Sequence, residues 1–441
     1  MKETIIQFGT GNFLRGFFDN FINILNEQGL YDGKVVIVKP TKSIRPNVIN
    51  EQKGKFNLFL RGIKDGQEVC EHSEINCVTR CVDPYCEYDE YLSLARNPDI
   101  KFVVSNTTEA GIEFDTNCSF QDKPALSFPG KLTQLLFARY KAELDGFVFL
   151  PCELIDNNGT ELKNCVVKYA EFWDLGDDFI TWINENNTFC NTLVDRIVTG
   201  YPKDEAEALN KLIGYEDKLL DTAEIYHLWV IEGNIENDLP LQKAGLNIIY
   251  TDDVSAYKKM KVRILNGAHT SLVFPSLLCG VQTVGESVND QQLTEYLNVC
   301  LNRYILEVLD KNEENTSFAK AVLERFSNPY IKHLWKSISL NSVSKFSVRV
   351  LPTILDYESI KDELPKTLVF ALGCLIEYYK TQIPDDNEKV VEFIKSNDIE
   401  AILANESLWG SDLTRLLPLV NESIDRIHKD GIREAITWAM L

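Results

Sequence analysis

The strongest structural signal in the chain is the stretch Ile5-Ile6-Gln7-Phe8-Gly9-Thr10-Gly11-Asn12-Phe13-Leu14-Arg15-Gly16, an apolar run that leads through two glycines into an amphipathic segment. A strand, a glycine turn and a helix in this order form the site at which a dinucleotide pyrophosphate meets a helix N-terminus. Gly9 permits the tight turn and Gly11 the close approach of the backbone, although Leu14 takes the third glycine position of the general pattern. The stretch predicts a nucleotide-binding α/β domain, with an ordinary strand-turn-helix as the alternative.

Two further strand ends bear on the same predicted site. The apolar run from Lys34 to Thr41 ends near Lys39, where Asp or Glu would suit the ribose 2′-hydroxyl of NAD and a cation would suit the 2′-phosphate of NADP. The run that begins at Lys101 ends in amide, hydroxyl and carboxyl groups, at Asn106, Thr107, Thr108 and Glu109. At the carboxyl end of a parallel strand, such groups face the crevice in which a coenzyme binds.

A second informative stretch follows the last strand-like run, Leu246 to Tyr250. Lys261, Asn266 and His269, three groups that handle a proton or an oxyanion, stand on one segment of helical periodicity. In an α-helix, which turns about 100° per residue, Asn266 and His269 share a face while Lys261 lies roughly 140° round. The long side chain of Lys261 has to close that gap. We predict a catalytic triplet, although a single histidine on an apolar helix is more often structural.

Length and charge limit the kind of protein. With 441 residues, the chain exceeds what one hydrophobic core normally serves, so two domains are expected. Its 45 Lys and Arg against 66 Asp and Glu give a net charge of −21, which repels nucleic acid and anionic membranes. The N-terminus lacks a signal-peptide pattern, and the longest apolar run is too short to span a bilayer. We expect a cytoplasmic protein whose 11 cysteines are reduced.

One group of cysteines raises the question of a metal site. It comprises Cys70, Cys77, Cys81 and Cys86, with His72 among them. Structural zinc sites favour a tight Cys-x2-Cys pair, and these spacings contain none. We therefore predict no metal and interpret the cysteines as small apolar residues of a β-rich segment.

The two informative stretches together resemble one family, the polyol-specific long-chain dehydrogenases, or mannitol dehydrogenase family. Its Lys-x4-Asn-x2-His signature matches Lys261, Asn266 and His269. The resemblance implies that the lysine is the general acid/base and that the other two polarise the reacting oxygen. The family's own glycine turn, Gly-x-Gly-x-Phe-x-Arg-Gly, and its Thr-Glu-x-Gly strand end match as well. The turn implies coenzyme contacts from Phe8, Gly9, Gly11, Asn12, Phe13 and Arg15.

Other matches concern the substrate. Asp195 lies in the family's Val-Asp-Arg-Ile element and is implied to reach the substrate pocket, with an ion pair to Arg196 as the alternative. Lys345 falls where the mannitol dehydrogenases carry a substrate-binding arginine, and Arg349 is an additional cation. Leu154 replaces an asparagine of the mannitol enzymes. In a chain of net charge −21, two cations here favour a substrate with a carboxylate.

We therefore expect an α/β, Rossmann-like dinucleotide-binding domain over residues 1–253 and a mostly α-helical substrate domain over residues 254–441. The resemblance, closest to the hexuronate reductases, implies metal-independent, NAD-dependent reduction of a keto-hexuronate to a hexonate, with NADP not excluded. The open alternatives are another hexuronate or polyol dehydrogenase of this family, a metal-dependent dehydrogenase, and a coenzyme-binding sensor without activity. A small sugar acid is the expected partner, and the oligomeric state is left undetermined.

Overall fold

The structure is a computed structural model that describes residues 2–42 and 47–441, apart from the side chain of Glu109, one of the predicted coenzyme contacts. The chain divides into two compact units. Unit 1 comprises Met1–Arg61 and Glu68–Ser255, and unit 2 comprises Gly62–Gln67 and Ala256–Leu441. The sequence predicts a single boundary at residue 254, whereas in the structure the short segment Gly62–Gln67 also belongs to unit 2.

In the described chain, the strands all precede residue 252. They are β1 (Lys2–Phe8), β2 (Gly33–Val38), β3 (Phe56–Lys64), β4 (Gln67–Ile75), β5 (Val78–Val82), β6 (Phe102–Ser105), β7 (Val148–Pro151), β8 (Thr188–Phe189), β9 (Thr192–Asp195), β10 (Asp221–Glu224), β11 (Leu228–Glu232) and β12 (Ile248–Thr251). The helices among them are α1 (Asn12–Leu14), α2 (Asn20–Glu27), α3 (Val48–Glu51), α4 (Tyr88–Leu94), α5 (Phe128–Lys141), α6 (Asn158–Phe172), α7 (Asp177–Asn186) and α8 (Ala206–Ile213). A π-helical segment, Arg15–Asp19, joins α1 to α2.

Six strands form the main sheet in the order β5-β2-β1-β6-β7-β8, and its described pairings are parallel. Phe8 pairs with Val38 on one side and with Ser105 on the other, and Ser105 pairs with Pro151. The carboxyl ends of β1, β2, β6 and β7 therefore lie level. Strand order reverses between β1 and β6, which is where a parallel sheet of this kind binds its ligand.

Burial on both faces explains why these strands are so apolar. Ile5 and Ile6 point to opposite faces, and both are inaccessible to solvent, as are Val35–Val38. Ile5 joins a core that includes Trp229, whereas Ile6 joins a second core that includes Tyr91. The main sheet thus separates two hydrophobic cores within unit 1.

Residues 55–100 alternate short apolar runs with charged turns, a pattern that predicts an antiparallel excursion from the main sheet, and only part of this excursion is present. β3 and β4 do leave the main sheet, and they form a second sheet with β10, which runs parallel to β3. β5, however, returns to the main sheet and pairs in parallel with β2. A third sheet has the order β12-β11-β9, with one parallel and one antiparallel pairing.

Beyond residue 254 the described chain is helical, as its periodicity predicts. The helices are α9 (Ser255–Lys261), α10 (Gly267–Leu278), α11 (Val284–Asn289), α12 (Gln291–Val299), α13 (Leu306–Val308), α14 (Glu313–Phe326), α15 (Trp335–Ile338), α16 (Ser342–Arg349), α17 (Leu351–Lys361), α18 (Lys366–Thr381), α19 (Glu388–Ser396), α20 (Ile399–Leu403), α21 (Glu406–Trp409), α22 (Leu417–Asp430) and α23 (Ile432–Met440). The predicted fold class is confirmed. Among the described helices, none is long and apolar enough to cross a membrane.

The spacing of apolar residues predicts one helical run from Val284 to Leu309 and another from Ile424 to Ala439, and both runs are interrupted in the structure. The run from Ile424 to Ala439 is split between α22 and α23 at Gly431, whose φ of 87° is accessible almost only to glycine. The run from Val284 to Leu309 breaks at Asp290, whose side chain accepts a hydrogen bond from the first turn of α12. Apolar periodicity continues across both breaks, so the periodicity alone does not reveal them.

Candidate active site

The predicted pyrophosphate turn lies between β1 and α1, at the edge of the main sheet where the carboxyl ends of β1, β2, β6 and β7 lie level. Gly9 has a φ of 140°, and a Cβ there would lie 3.1 Å from the carbonyl oxygen of Asn106 and 3.2 Å from a methyl group of Leu14. A side chain would therefore force the turn away from the loop after β6. A Cβ at Gly11 would meet nothing within 4 Å, so the backbone there is open to close approach. Phe13 is half-buried at the same turn. Both glycines fit the requirements of a pyrophosphate.

Arg15, predicted to contact the coenzyme, is buried inside unit 1. Its guanidinium donates to the backbone carbonyl of Leu219 and, at 2.5 Å, to Oδ1 of Asn12, and it lies over the ring of Phe56. Through these contacts Arg15 orients Asn12, and a direct contact between Arg15 and the coenzyme stays a prediction. Phe8 is likewise fully buried, so only its backbone is available at the turn.

Lys39 follows β2 at the predicted ribose position. Its ammonium pairs with the carboxylate of Asp83 at 2.7 Å, and the two side chains are only 12% and 14% exposed. Its backbone N–H donates to the carbonyl of Val82 at the end of β5. In the sequence, Lys39 is the reason that NADP is not excluded. In the structure, this cation already has a carboxylate partner.

The loop after β6 carries the other predicted coenzyme contacts. Asn106 donates from Nδ2 to the carbonyl of Cys152 at 2.9 Å. Thr107 donates from its backbone N and from Oγ1 to one carboxylate oxygen of Glu153, at 2.9 and 3.0 Å. Thr108 has a φ of 77°, which β-branched residues rarely adopt. Glu153 is absent from the predicted site, and its position directly after β7 was the signal available in the sequence.

Asp195 ends β9 with a buried side chain. The neighbouring Arg196 donates to three backbone carbonyls, those of Gly16, Tyr226 and Ile225, at 2.8, 3.1 and 3.2 Å. Burial lowers the pKa of Arg196 to about 10. These carbonyls give Arg196 a structural role, whereas the role of Asp195 in substrate binding stays a prediction.

In unit 2, the predicted triplet lies on one continuous helical segment. α9 ends at Lys261, a π-helical turn spans Val262–Asn266, and α10 begins at Gly267. A π-turn joins residues five apart, so Lys261 and Asn266 lie on nearly the same face. His269 follows Asn266 at the i, i+3 spacing and shares that face. This geometry corrects the α-helical prediction, because the rotation that separates the lysine from the other two is largely removed.

His269 is held by aromatic stacking. Its imidazole lies parallel to the ring of Phe326, with the ring centroids 4.1 Å apart and an interplanar angle of 7°. Its Nε2 is buried and lacks a hydrogen-bond partner among the residues that the structure describes. Burial, and then the charges of His333, Arg325 and Arg349, lowers the pKa of His269 to about 3. The ring is therefore neutral at pH 7, and one of its polar atoms is left for a ligand.

Three cations belong to the same part of unit 2. Arg325 and Arg349 are close enough for their charges to depress the pKa of His269. Lys345 precedes Arg349 by one turn of α16 and donates from Nζ to the carbonyl of Ile338 at 2.9 Å. Burial, and then the charge of Arg349, lowers the pKa of Lys345. The stretch 325–331 resembles a family signature that shapes the pocket floor, but the sequence does not single out Arg325 within it, because α10, α14 and α16 are distant in sequence.

Gly267 sets how closely α10 approaches α16. A Cβ at this position would lie 3.1 Å from the backbone oxygen of Arg349. The absence of a side chain therefore lets the helix that carries His269 pack directly on the helix that carries two of the cations.

The chain matches two family models. Residues 3–243 match the mannitol dehydrogenase Rossmann domain, and residues 253–429 match the mannitol dehydrogenase C-terminal domain. Among curated relatives, the altronate oxidoreductases of Yersinia enterocolitica serotype O:8 / biotype 1B and of Enterobacter sp. strain 638 are each 42% identical to this chain. Each alignment covers 98% of this chain and 96% of the relative.

Two solved structures share the fold. A D-sorbitol dehydrogenase in substrate-free form has a TM-score of 0.86 at 23% identity, with 99% of this chain and 95% of that chain covered. Pseudomonas fluorescens mannitol 2-dehydrogenase, in a ternary complex with NAD and D-mannitol, has a TM-score of 0.73 at 20% identity, with 99% and 94% covered. The two family models and the 42% identical relatives span almost the whole chain. It follows that this chain belongs to the mannitol dehydrogenase family and is an oxidoreductase that acts on CH–OH groups.

Proposed function

We propose that the chain catalyses the reversible, NAD-dependent reduction of a keto-hexuronate to a hexonate, with tagaturonate and altronate as the substrate pair. The 42% identity to altronate oxidoreductases over nearly the whole chain supports this choice. The observation that carries it is the neutral His269, whose unpartnered Nε2 belongs to the same helical segment as Lys261 and Asn266. With a lysine as the acid, the reaction needs no metal.

The residues of unit 1 fit a nicotinamide dinucleotide. Gly11 leaves the backbone open at the end of the main sheet where the strand ends lie level, and the loop 106–108 adds the acceptor oxygens of Asn106 and Thr107 and the exposed hydroxyl of Thr108. Lys39 supports NAD over NADP, because its ammonium is already paired with Asp83. When it is bound, the coenzyme supplies the hydride.

Reduction places negative charge on the former carbonyl oxygen of the substrate, and the triplet of unit 2 is suited to that charge. The amide of Asn266 and the neutral ring of His269 donate hydrogen bonds to the oxygen. One such donor typically stabilises a transition state by about 2.7–4 kcal/mol. Lys261 gives the oxygen its proton during reduction and removes the proton during oxidation.

The cations of unit 2 account for the preference for a sugar acid. We assign the substrate carboxylate to Arg349, because a guanidinium binds a carboxylate through two parallel hydrogen bonds. Lys345 already donates to the carbonyl of Ile338. We therefore assign it a contribution of positive charge near the substrate and not a direct contact with the carboxylate. Asp195 is proposed to accept hydrogen bonds from substrate hydroxyls. A polyol without a carboxylate would gain nothing from these cations.

A substrate panel tests the proposal. Tagaturonate, fructuronate and fructose are each offered with NADH and with NADPH, and coenzyme oxidation is followed by absorbance. We expect the highest kcat/KM for tagaturonate with NADH. A higher kcat/KM for fructuronate or fructose would identify a different substrate within the family. Coenzyme binding without turnover would identify a sensor, and loss of activity with a chelator would refute metal independence.

A further inference from the structure

Glu153 is a buried carboxylate that accepts hydrogen bonds from the end of β6 and from the loop after β6. Its side chain follows β7 and is 2% exposed. Ser105 donates from Oγ to one of its oxygens at 3.0 Å, and Thr107 donates from N and Oγ1 to the other. Burial raises the pKa of Glu153, and these hydrogen bonds oppose that effect. Among the described residues, no cation pairs with it, so donors at the end of β6 and in the loop after β6 stabilise its charge.

The same loop is constrained on its other sides. A Cβ at Gly111 would lie 2.1 Å from Oγ1 of Thr107, so the threonine side chain fits only because residue 111 is glycine. The backbone oxygen of Asn106 lies against Gly9 in the pyrophosphate turn. Between these contacts, Thr108 is held at a positive φ that a threonine avoids when it is free. Strain of this kind persists only where the surroundings impose it. Here the preceding residue, Thr107, is held by its hydrogen bonds to Glu153.

We propose that Glu153 is a positioning residue for coenzyme binding, which fixes the loop Asn106–Thr108 in the conformation that meets the coenzyme. This inference rests on the proposed function, in which unit 1 binds NADH. Without the carboxylate, the N–H and hydroxyl of Thr107 lose their acceptor and Thr108 relaxes from its positive φ. The loop then presents its amide and hydroxyl groups in other directions, and coenzyme affinity falls. Proton transfer by Lys261 is unaffected, because Glu153 does not act on the substrate.

The test is Glu153→Gln in the full chain, with the Kd of NADH measured by fluorescence titration and the kinetics measured with tagaturonate. Glutamine keeps the size but removes the charge, and its single amide oxygen can take only one of the two acceptor positions that Ser105 and Thr107 now share. When a hydrogen bond to a charged group is lost, the free energy of binding typically falls by an amount that raises the Kd about tenfold or more. We therefore expect the Kd of NADH to rise by about tenfold or more. Saturating NADH should restore kcat, and the pH profile of kcat should not change.

Asn187→Ala is the matched control. Asn187 is also buried in unit 1, and its Oδ1 accepts a hydrogen bond from the N–H of Phe147, next to the opposite end of β7, at 2.8 Å. This variant should lower the melting temperature while leaving the Kd of NADH unchanged. If Glu153→Gln also lowers only the melting temperature, Glu153 is merely structural and the inference is wrong. If the wild-type chain itself binds no NADH, the proposed function fails first, and the two failures are thereby distinguished.

Thr107→Val keeps the inference testable if Glu153→Gln does not fold. Valine preserves the shape of threonine and removes only the Oγ1 donor, so it should raise the Kd of NADH to a smaller extent. Where both variants fold, their effects on the Kd should be less than additive, because they remove the same hydrogen bond. An unchanged Kd in Thr107→Val, or strictly additive effects in the double variant, would overturn the assignment.

Discussion

Lys261 is the residue on which proton transfer depends in the proposed reaction. We expect Lys261→Ala to lower kcat by about 10²–10⁴-fold, the range typical of a lost general acid. The Kd of NADH should stay unchanged, because the proposed coenzyme residues belong to unit 1. Steady-state kinetics with tagaturonate and NADH fluorescence measure the two quantities. Wild-type turnover in this variant would show that the lysine is not the acid.

His269 gives a prediction about pH. Its imidazole takes up a proton near pH 6.5 in an unfolded chain but only near pH 3 in the folded protein, so the ring stays neutral in an ordinary assay. We expect His269→Gln to lower kcat by about 10²–10³-fold without changing the shape of the pH profile. Between pH 3 and 6.5 the unfolded state holds more protons, so this residue makes the free energy of unfolding rise with pH. A kinetic pKa near 6.5 that disappears in the variant would contradict the neutral ring.

Single residues also show where sequence reasoning stops. The motif that contains Arg15 is visible in the sequence, but the burial of its guanidinium against Leu219 and Phe56 depends on segments far along the chain. For the same reason the sequence gives no role to Glu153 and places Arg325 only within a pocket-floor motif, since each gains its neighbours from distant elements. A motif therefore predicts which residue types occupy a site better than it predicts which atoms face the ligand.

At the scale of elements, the π-helical turn Val262–Asn266 sets the spacing of the triplet. Deleting Val262 would leave an α-helix with the amide four residues and the imidazole seven residues after the lysine, still on one face. Inserting an alanine after Val262 would move the lysine off that face. We expect the deletion to keep kcat within about tenfold of the wild-type value. The insertion should lower kcat as much as Lys261→Ala does, by about 10²-fold or more. Equal kcat values in the two variants would show that the shared face does not matter.

Gly431 allows the chain to turn between α22 and α23. Its φ of 87° and ψ of 160° lie in a region that is essentially restricted to glycine. We expect Gly431→Ala to lower the free energy of unfolding by about 1–3 kcal/mol, measured by denaturant titration. Gly285→Ala is the control, because a Cβ at this helical position would meet nothing within 4 Å. The control should be neutral or stabilising by up to about 1 kcal/mol, and an equal loss in both variants would contradict the backbone explanation.

The regular elements were predictable where one local signal determines them. The apolar runs at β1 and β2 and the glycines after β1 lie next to each other in the sequence, and the structure has the predicted strand, turn and helix there. Other features depend on long-range pairing or on backbone detail. Nothing local to β5 indicates that it joins β2, and the π-turn after Lys261 has the same apolar periodicity as an α-helix.

At the scale of the whole molecule, two buried acids of unit 1 should affect the pH dependence of stability in the opposite direction to His269. Burial raises the pKa of Asp19 and of Asp221 from 3.8 to about 7, and the charge of Arg15 opposes this rise in each. Between pH 4 and 7 these two acids hold more protons in the folded state than in the unfolded state, so their contribution to the free energy of unfolding falls as pH rises and opposes the contribution of His269. The fall should amount to a few kcal/mol, because a tenfold change in proton affinity on folding corresponds to about 1.4 kcal/mol.

Asp19→Asn tests this expectation, because an amide does not titrate. Denaturant titrations at several pH values should show a smaller fall between pH 4 and 7 in the variant than in the wild-type chain. Exposed Asp99 provides the control, since its substitution by Asn removes an acid that is paired only at the surface with Lys2. An identical pH dependence in Asp19→Asn and the wild type would show that this acid ionises normally in the folded protein.

The level carboxyl ends of β1, β2, β6 and β7 have a consequence for how this architecture can change. The strands are buried on both faces, so a substitution within them disturbs a core, and some residues of the connections that leave this rim are buried as well, among them Arg15, Cys152 and Glu153. New ligand preferences are therefore expected from exposed rim positions such as Thr10 and Asn12, while the buried rim residues hold the connections in place. A rim segment grafted from a homologue has to bring its own buried anchor residues if the domain is to fold unchanged.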